Sequence, residues 1–331
     1  MKGKTMRKYF LLLCAIFCIF NANQSFGYPT GKLTLKVIDD EAGNPIRGAM
    51  VHVSFMQAND SGIGLKTIRN NDVTNAEGFV SFQGVGMESV GATISKDGYY
   101  QSGSGFKFTS SSNVTNRWEP WNPTVEVVLK KKRNPVPMYV KGTDNLKLPQ
   151  FDIPIGYDLE KGDLVVPYGT GTTSDFIFSM HSAERAYTDY ECNFSLTFSN
   201  EFDGIQEYFF DSNNQSNYKW PFLAPESGYV TTLFKEKSMQ PGKGYTSNEI
   251  ENVHYIFRVR TKTDNDGKIV SALYGKIVKE FEFDPKGAIF FGYYLNPDGT
   301  RNLEEDPKRN LFKEKMKRGQ IFILDTSRSG G

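Results

Sequence analysis

The chain is 331 residues long and carries 39 Lys+Arg against 38 Asp+Glu, with only three cysteines. So even a charge balance leaves no basic field of the kind that holds nucleic acid. The cysteines are too few for a disulfide framework, so apolar burial must hold the fold, and about 300 residues suffice for two cores of ordinary size.

Residues 1–27 read as a secretory signal. Lys2, Lys4, Arg7 and Lys8 form a basic front, and residues 9–20 form an apolar run too short to span a bilayer comfortably. Ser25, Phe26 and Gly27 put small residues at −3 and −1 before Tyr28, so cleavage is expected there. Cleavage takes four of the 39 Lys+Arg and none of the 38 Asp+Glu, leaving 35 against 38, or −3. Cys14 and Cys18 leave with it, and Cys192 stays as a lone thiol, expected to act as a small buried hydrophobe. The expected address is periplasmic, cell-surface or extracellular, with no integral membrane segment after cleavage.

Leu33, Leu35 and Val37 alternate with Lys32, Thr34 and Lys36, the period of a strand with one face in a core. Ala49, Val51, Val53 and Phe55 repeat the alternation after the Gly43-Asn44-Pro45 turn signal. Asn75-Ala76-Glu77-Gly78 feeds a strand at 79–82, Lys96-Asp97-Gly98-Tyr99 closes one at 90–95, and 125–129 ends the series. This pattern predicts an antiparallel β-sandwich of roughly 100 residues. Leu33, Leu35, Val37, Val51, Val53, Val127 and Leu129 should form its core.

The same residues resemble the carboxypeptidase regulatory-like domain, a transthyretin-like sandwich attached to many exported bacterial proteins. The matching features are Asp39 and Asp40 at the end of the first strand, the run 43–53, the turn 74–79, the turn 96–99 and the closing strand 125–129. The resemblance covers about a third of the chain and implies a domain over 28–133. Its motifs are turn chemistry, which specifies fold well and function poorly. The stretch 57–71 is longer than that family usually shows. Relatives of the sandwich include intradiol dioxygenases, whose iron needs two Tyr and two His; here the first domain offers His52 alone.

Residues 130–133, Lys-Lys-Lys-Arg, read as a solvated strand end, and Pro135 and Pro137 after them suggest a stiff linker over 134–148. No family is recognised for 149–331, which reads as a second β-rich domain. Its expected strands lie at 163–167, 176–180, 193–198, 207–210, 253–261, 268–276, 288–294 and 320–325. One or two short helices are expected, at 182–190 and 306–317. The fold class is therefore all-β.

Four constellations could carry chemistry. His181, Glu184 and His254 supply the residue types of a zinc site, two imidazoles and a carboxylate. The metal reading is disfavoured, because the half that holds them reads as β and too small for a zinc carboxypeptidase domain. Asp264 and Asp266 before Gly267 suggest a calcium loop, but Lys262 and Leu273 stand where ligands belong, so a hairpin turn is expected instead. Cys192 offers a thiol without an evident base. Trp118 and Trp121, flanking Glu119 and Pro120, are the best ligand-binding candidates, since flat rings can stack on sugars. The expected function is a non-catalytic structural or interaction protein of the cell envelope or extracellular space, with an envelope protein as partner and no cofactor. The alternative is a carbohydrate-binding protein that uses exposed aromatics of Trp118 and Trp121 or of the tyrosine-rich second half. A zinc hydrolase is the distant alternative.

Overall fold

The computed structural model describes residues 27–59, 63–143 and 146–313. The expected signal up to residue 26 and the expected strand at 320–325 lie outside the described residues. The chain divides into two compact units, Met1–Lys131 and Lys132–Gly331.

The first unit holds β1 (Thr30–Asp39), β2 (Met50–Ala58), β3 (Leu65–Val73), β4 (Phe79–Val85), β5 (Ser89–Ser95), β6 (Ser102–Lys107), β7 (Ser110–Ser112), β8 (Arg117–Glu119) and β9 (Thr124–Leu129). A five-stranded sheet runs β4-β1-β8-β7, with β9 also paired to β1, and a four-stranded sheet runs β3-β2-β5-β6. Their facing sides meet in one core, where Leu33, Leu35, Val37, Val51, Val53, Val127 and Leu129 are all buried. Alternation alone selected these residues, because only one face of each strand looks inward. Gly78 makes the turn before β4 at φ +78°, and a Cβ there would lie 2.5 Å from the Val37 carbonyl oxygen.

The sandwich is mixed where antiparallel pairing was expected. β9 runs parallel to β1 in the register Thr34↔Thr124 to Asp39↔Leu129, and β8 also pairs with β1 in parallel. The chain leaves the first sheet after β4, builds β5 and β6 in the other sheet, and returns in the same sense as β1. A parallel neighbour needs such a crossover. Of the long stretch around 57–71, the part from Leu65 on forms β3, which pairs with β2 along its whole length.

The second unit holds β10 (Val136–Gly142), β11 (Leu146–Lys147), β12 (Ile155–Asp158), β13 (Asp163–Leu164), β14 (Phe176–Ala186), β15 (Asp189–Thr197), β16 (Gly204–Phe209), β17 (Thr232–Gln240), β18 (Gly244–Ser247), β19 (Val253–Thr263), β20 (Ile269–Phe283), β21 (Ala288–Asn296) and β22 (Glu305–Asn310). A seven-stranded sheet runs β16-β19-β20-β21-β10-β22 with β11 on β21, and a six-stranded sheet runs β13-β12-β14-β15-β17-β18. An aromatic-rich core joins them. Phe176 and Phe178 of β14, Phe194 of β15, Tyr255 and Phe257 of β19, Phe281 of β20 and Phe291 of β21 are all buried in it. Phe178 and Phe291 meet edge to face with centroids 5.7 Å apart, the arrangement that ring quadrupoles favour.

Two expectations for this half are corrected. The segment 134–148 is not a linker: β10 pairs with β21 and β22, and β11 pairs with β21. Pro137 falls in the register shift between Val136↔Glu305 and Met138↔Asn310, where its missing N–H interrupts no regular ladder. No helix is present among the described residues. The expected helix at 182–190 is the tip of the β14–β15 hairpin, in the register Met180↔Phe194 and Ser182↔Cys192. Its residues favour helix locally, but the alternating apolar runs on either side carry the pairing through them. The expected helix at 306–317 is β22 up to Asn310; residues 314–317 lie outside the described residues. Pro307 in β22 is tolerated because β22 ends its sheet.

Candidate functional site

The candidate site lies on the inner side of β17, past the end of the second unit's core. In the β15–β17 register Leu196 faces Leu233, Phe194 faces Lys235, Cys192 faces Lys237 and Tyr190 faces Met239. Leu233, Lys235, Lys237 and Met239 therefore follow one another along one face, and the lining turns from apolar to polar along it. Two adjoining clefts open there, of about 860 and 310 Å³, and share Lys237 and Asp284. Tyr245, Glu249, Ile250, Lys279, Glu280 and Glu282 line the larger one. Glu184, Tyr187, Tyr190, Met239, Pro285 and Lys286 line the smaller.

The floor is locked. Lys235 is 2% exposed. Its ammonium lies 2.6 Å from Glu280 Oε2. The other oxygen of Glu280 accepts from the Tyr255 hydroxyl and from the Phe281 N–H at 2.9 Å. The Ile250 N–H reaches Oε2 at 3.4 Å. Burial, with Glu280 beside it, drives the Tyr255 hydroxyl far above the ordinary tyrosine range. The Glu280 carboxylate, with a donor on every side, is tied into the fold and anchors the site.

The rim is open. Tyr187 is 88% exposed and Tyr245 48%. The Tyr245 hydroxyl donates to Glu249 Oε2 at 3.2 Å. Lys237 Nζ lies 4.2 Å from the centre of the Phe283 ring and 3.8 Å from Glu249 Oε1. Amphipathic rings and carboxylates thus face solvent together above a fixed base, with the mostly buried Lys237 beside Glu249 and Phe283. Among the described residues no helix is long and apolar enough to cross a membrane.

The sequence-derived candidates are placed otherwise. His181, Glu184 and His254 do not converge. His181 and Glu184 lie three apart on β14, and strand geometry points them to opposite faces. His181 Nδ1 is 2.7 Å from Asp152 Oδ1 on the exposed side. His254 is buried on β19, its ring stacked on Phe210 at 3.8 Å, and its Nδ1 accepts the Lys279 N–H at 3.0 Å. Burial, with Lys279 and Lys219 nearby, pushes its pKa down to about 4, so the ring is neutral at pH 7. Among the described residues no group of three or more His, Cys, Asp or Glu is placed to hold a metal ion.

Cys192 is buried, and that burial raises its thiol to about 11, which removes the thiolate a nucleophile needs. Asp264 serves the β19–β20 hairpin, its Oδ1 accepting the N–H groups of Asp266 and Lys268. Trp118 is no open platform: it packs against the first core, stacks on Phe108 with centroids 6.3 Å apart, and donates its Nε1–H to the Gly86 carbonyl at 2.8 Å. Trp121 is half-buried, with the Arg117 guanidinium 4.5 Å over its ring. Glu119 of the same loop turns back to accept the Trp121 N–H.

No family model matches the chain, and no curated protein matches it. Among solved structures, it is similar to 3-chlorocatechol 1,2-dioxygenase from Rhodococcus opacus at 11% identity, over 33% of this chain and 63% of that one, with a TM-score of 0.26. It is also similar to catechol 1,2-dioxygenase from Acinetobacter at 10% identity, over 34% of this chain and 56% of that one, with a TM-score of 0.26. The chain thus spans less than two thirds of either dioxygenase. The major pilin subunit of Bacillus cereus matches at 10% identity over 83% of this chain and 100% of that one, with a TM-score of 0.22. No activity, ligand or partner is drawn from likenesses this weak.

Proposed function

We propose that the chain is an exported, non-catalytic structural or interaction protein of the cell envelope or extracellular space, and that its partner, an envelope protein, meets it at the second unit's cleft. The observation that carries this reading is the contrast between the locked Glu280 floor and the open Tyr187 and Tyr245 rim. Groups tied up in this way hold a surface in shape, and exposed tyrosines give large contact area at low entropic cost. Export rests on the composition of residues 1–27. The first unit is assigned to the carboxypeptidase regulatory-like family. In support, the glycines of its three family-type turns, Gly43, Gly78 and Gly98, all take positive φ, at 68°, 78° and 81°. The reading is tested by capture from the native organism's envelope fraction, comparing the mature chain with a Tyr187→Ala/Tyr245→Ala variant. A partner retained by the first and lost by the second supports it.

The second reading is glycan binding at the same cleft. It is favoured by Tyr187, Tyr190 and Tyr245 beside Glu184 and Glu249, which pair stacking faces with acceptors for sugar hydroxyls. In this reading the tyrosines take the role first expected of Trp118 and Trp121. A glycan array on the mature chain separates the two readings.

A further inference from the structure

Among the described residues β3 is the terminal strand of the first unit's four-stranded sheet and pairs with β2 alone. Its pairing is continuous from Met50↔Val73 to Ala58↔Leu65, with no bulge, and the strand contains no proline. Bulges, prolines and charged side chains are the usual devices that blunt such edges, and of these β3 carries only charges, at Lys66, Arg69 and Asp72. The phase of the ladder is fixed at both ends. Beyond β3 the Asn59 N–H bonds to the Gly64 carbonyl, and the Thr74 N–H bonds to the Ala49 carbonyl. Even-numbered residues of β3 therefore aim their backbone groups at β2. Leu65, Thr67, Arg69, Asn71 and Val73 aim theirs outward, away from the sheet.

An antiparallel partner strand can bond only where outward-facing residues meet outward-facing residues. For β3 against its own copy, the register that uses the whole strand is centred on Arg69. It sets Leu65 opposite Val73, Lys66 opposite Asp72, Thr67 opposite Asn71 and Ile68 opposite Asn70, each twice by symmetry. The apolar pair joins the exposed ends of the strand, since Leu65 is 59% and Val73 48% exposed. The charged pair joins opposite signs. The one unfavourable match is Arg69 against its copy, and its exposed guanidinium is screened by salt. In the single chain the Val73 N–H bonds to its own Asp72 carboxylate at 2.8 Å. In the pair that N–H takes the partner's Leu65 carbonyl, and Asp72 turns to the partner's Lys66.

We propose that the occupant of this edge is a second copy of the chain: two β3 strands join antiparallel about a two-fold axis at Arg69 and merge the two four-stranded sheets into one. The contact is a strand edge, smaller than a standard interface, so the dimer is weak and concentration-dependent. The inference deepens the interaction reading by naming one partner. Its test uses purified protein alone, so its failure leaves the cleft's partner untouched.

The test is analytical ultracentrifugation of the mature chain across micromolar concentrations. A reversible monomer–dimer equilibrium is expected. Lys66→Glu or Asp72→Lys alone should raise the dissociation constant about tenfold or more, because each reversal sets like charges opposite at two symmetric places. The double variant should restore the dimer. Independently, Arg69→Cys should give a disulfide-linked dimer under mild oxidation, because the paired Cα atoms stand about 5.5 Å apart, while Glu77→Cys, off the strand, should not. These residues are exposed, so the melting temperature of the monomer serves as the folding control. A chain that stays monomeric throughout and does not cross-link at Arg69→Cys overturns the proposal. So does a dimer indifferent to both reversals.

Discussion

Lys235 and Glu280 form an ion pair at 2.6 Å that is almost closed to solvent, with 3% and 13% of their side chains exposed. One comes from β17 of the six-stranded sheet and the other from β20 of the seven-stranded sheet, so the pair ties the two sheets together under the cleft. Lys235→Ala strips Glu280 of its counter-charge and should destabilise the second unit by about 3–5 kcal/mol. Lys235→Met with Glu280→Gln should recover much of that loss, because no unpaired charge remains. Urea unfolding monitored by the unit's aromatic signals reads both.

His254 should make stability fall with acid. Its pKa of about 4 lies below the ordinary histidine value of 6.5, so the folded chain binds fewer protons than the unfolded chain between those values. The stabilisation is complete above about pH 6.5 and is lost as pH falls toward 4. His254→Phe should flatten that part of the profile. A series of melting temperatures from pH 7 to 4 on both proteins checks the difference.

Val53 is fully buried between the sheets of the first unit. Val53→Asp places a carboxylate there without a partner and should cost several kcal/mol, on the order of 3 or more. A denaturant melt that moves by less than about 1 kcal/mol would remove Val53 from the core account.

The first unit was legible because its signals are local. Leu33 to Val37 and Val51 to Phe55 alternate cleanly, and the turns carry glycines with positive φ. The sense of β9 was not legible, because parallel pairing depends on a crossover that no local pattern records. In the second unit β17 went unseen for a physical reason. Its inward positions read Leu233, Lys235, Lys237 and Met239, so two buried or half-buried lysines break the apolar alternation. Those lysines build the candidate site, and Glu280, the partner of Lys235, lies 45 residues away in sequence. The β14–β15 hairpin hid behind the helix-prone residues at 183–186. Trp118 drew attention by type alone, and nothing local revealed that Phe108 and Gly86 would enclose it.

Arg260 Nε lies 2.7 Å from Asp175 Oδ1, and the Asp175 side chain is fully buried. Burial raises the Asp175 pKa even with the guanidinium beside it. Arg260→Ala strips this buried carboxyl group of its counter-charge and should lower stability by about 3–5 kcal/mol. Arg260→Lys should recover only part of this, since an ammonium cannot make the two-point contact that Nε and Nη2 make with the Asp175 oxygens at 2.7 and 2.9 Å. Equilibrium unfolding of the two variants ranks them.

The most direct test of the central claim is quantitative capture from the native envelope fraction by the mature chain, by Tyr187→Ala/Tyr245→Ala and by Trp121→Ala. The account predicts one envelope protein held by the mature chain and by Trp121→Ala, and lost when the cleft tyrosines are removed. Equal capture by all three proteins would contradict it.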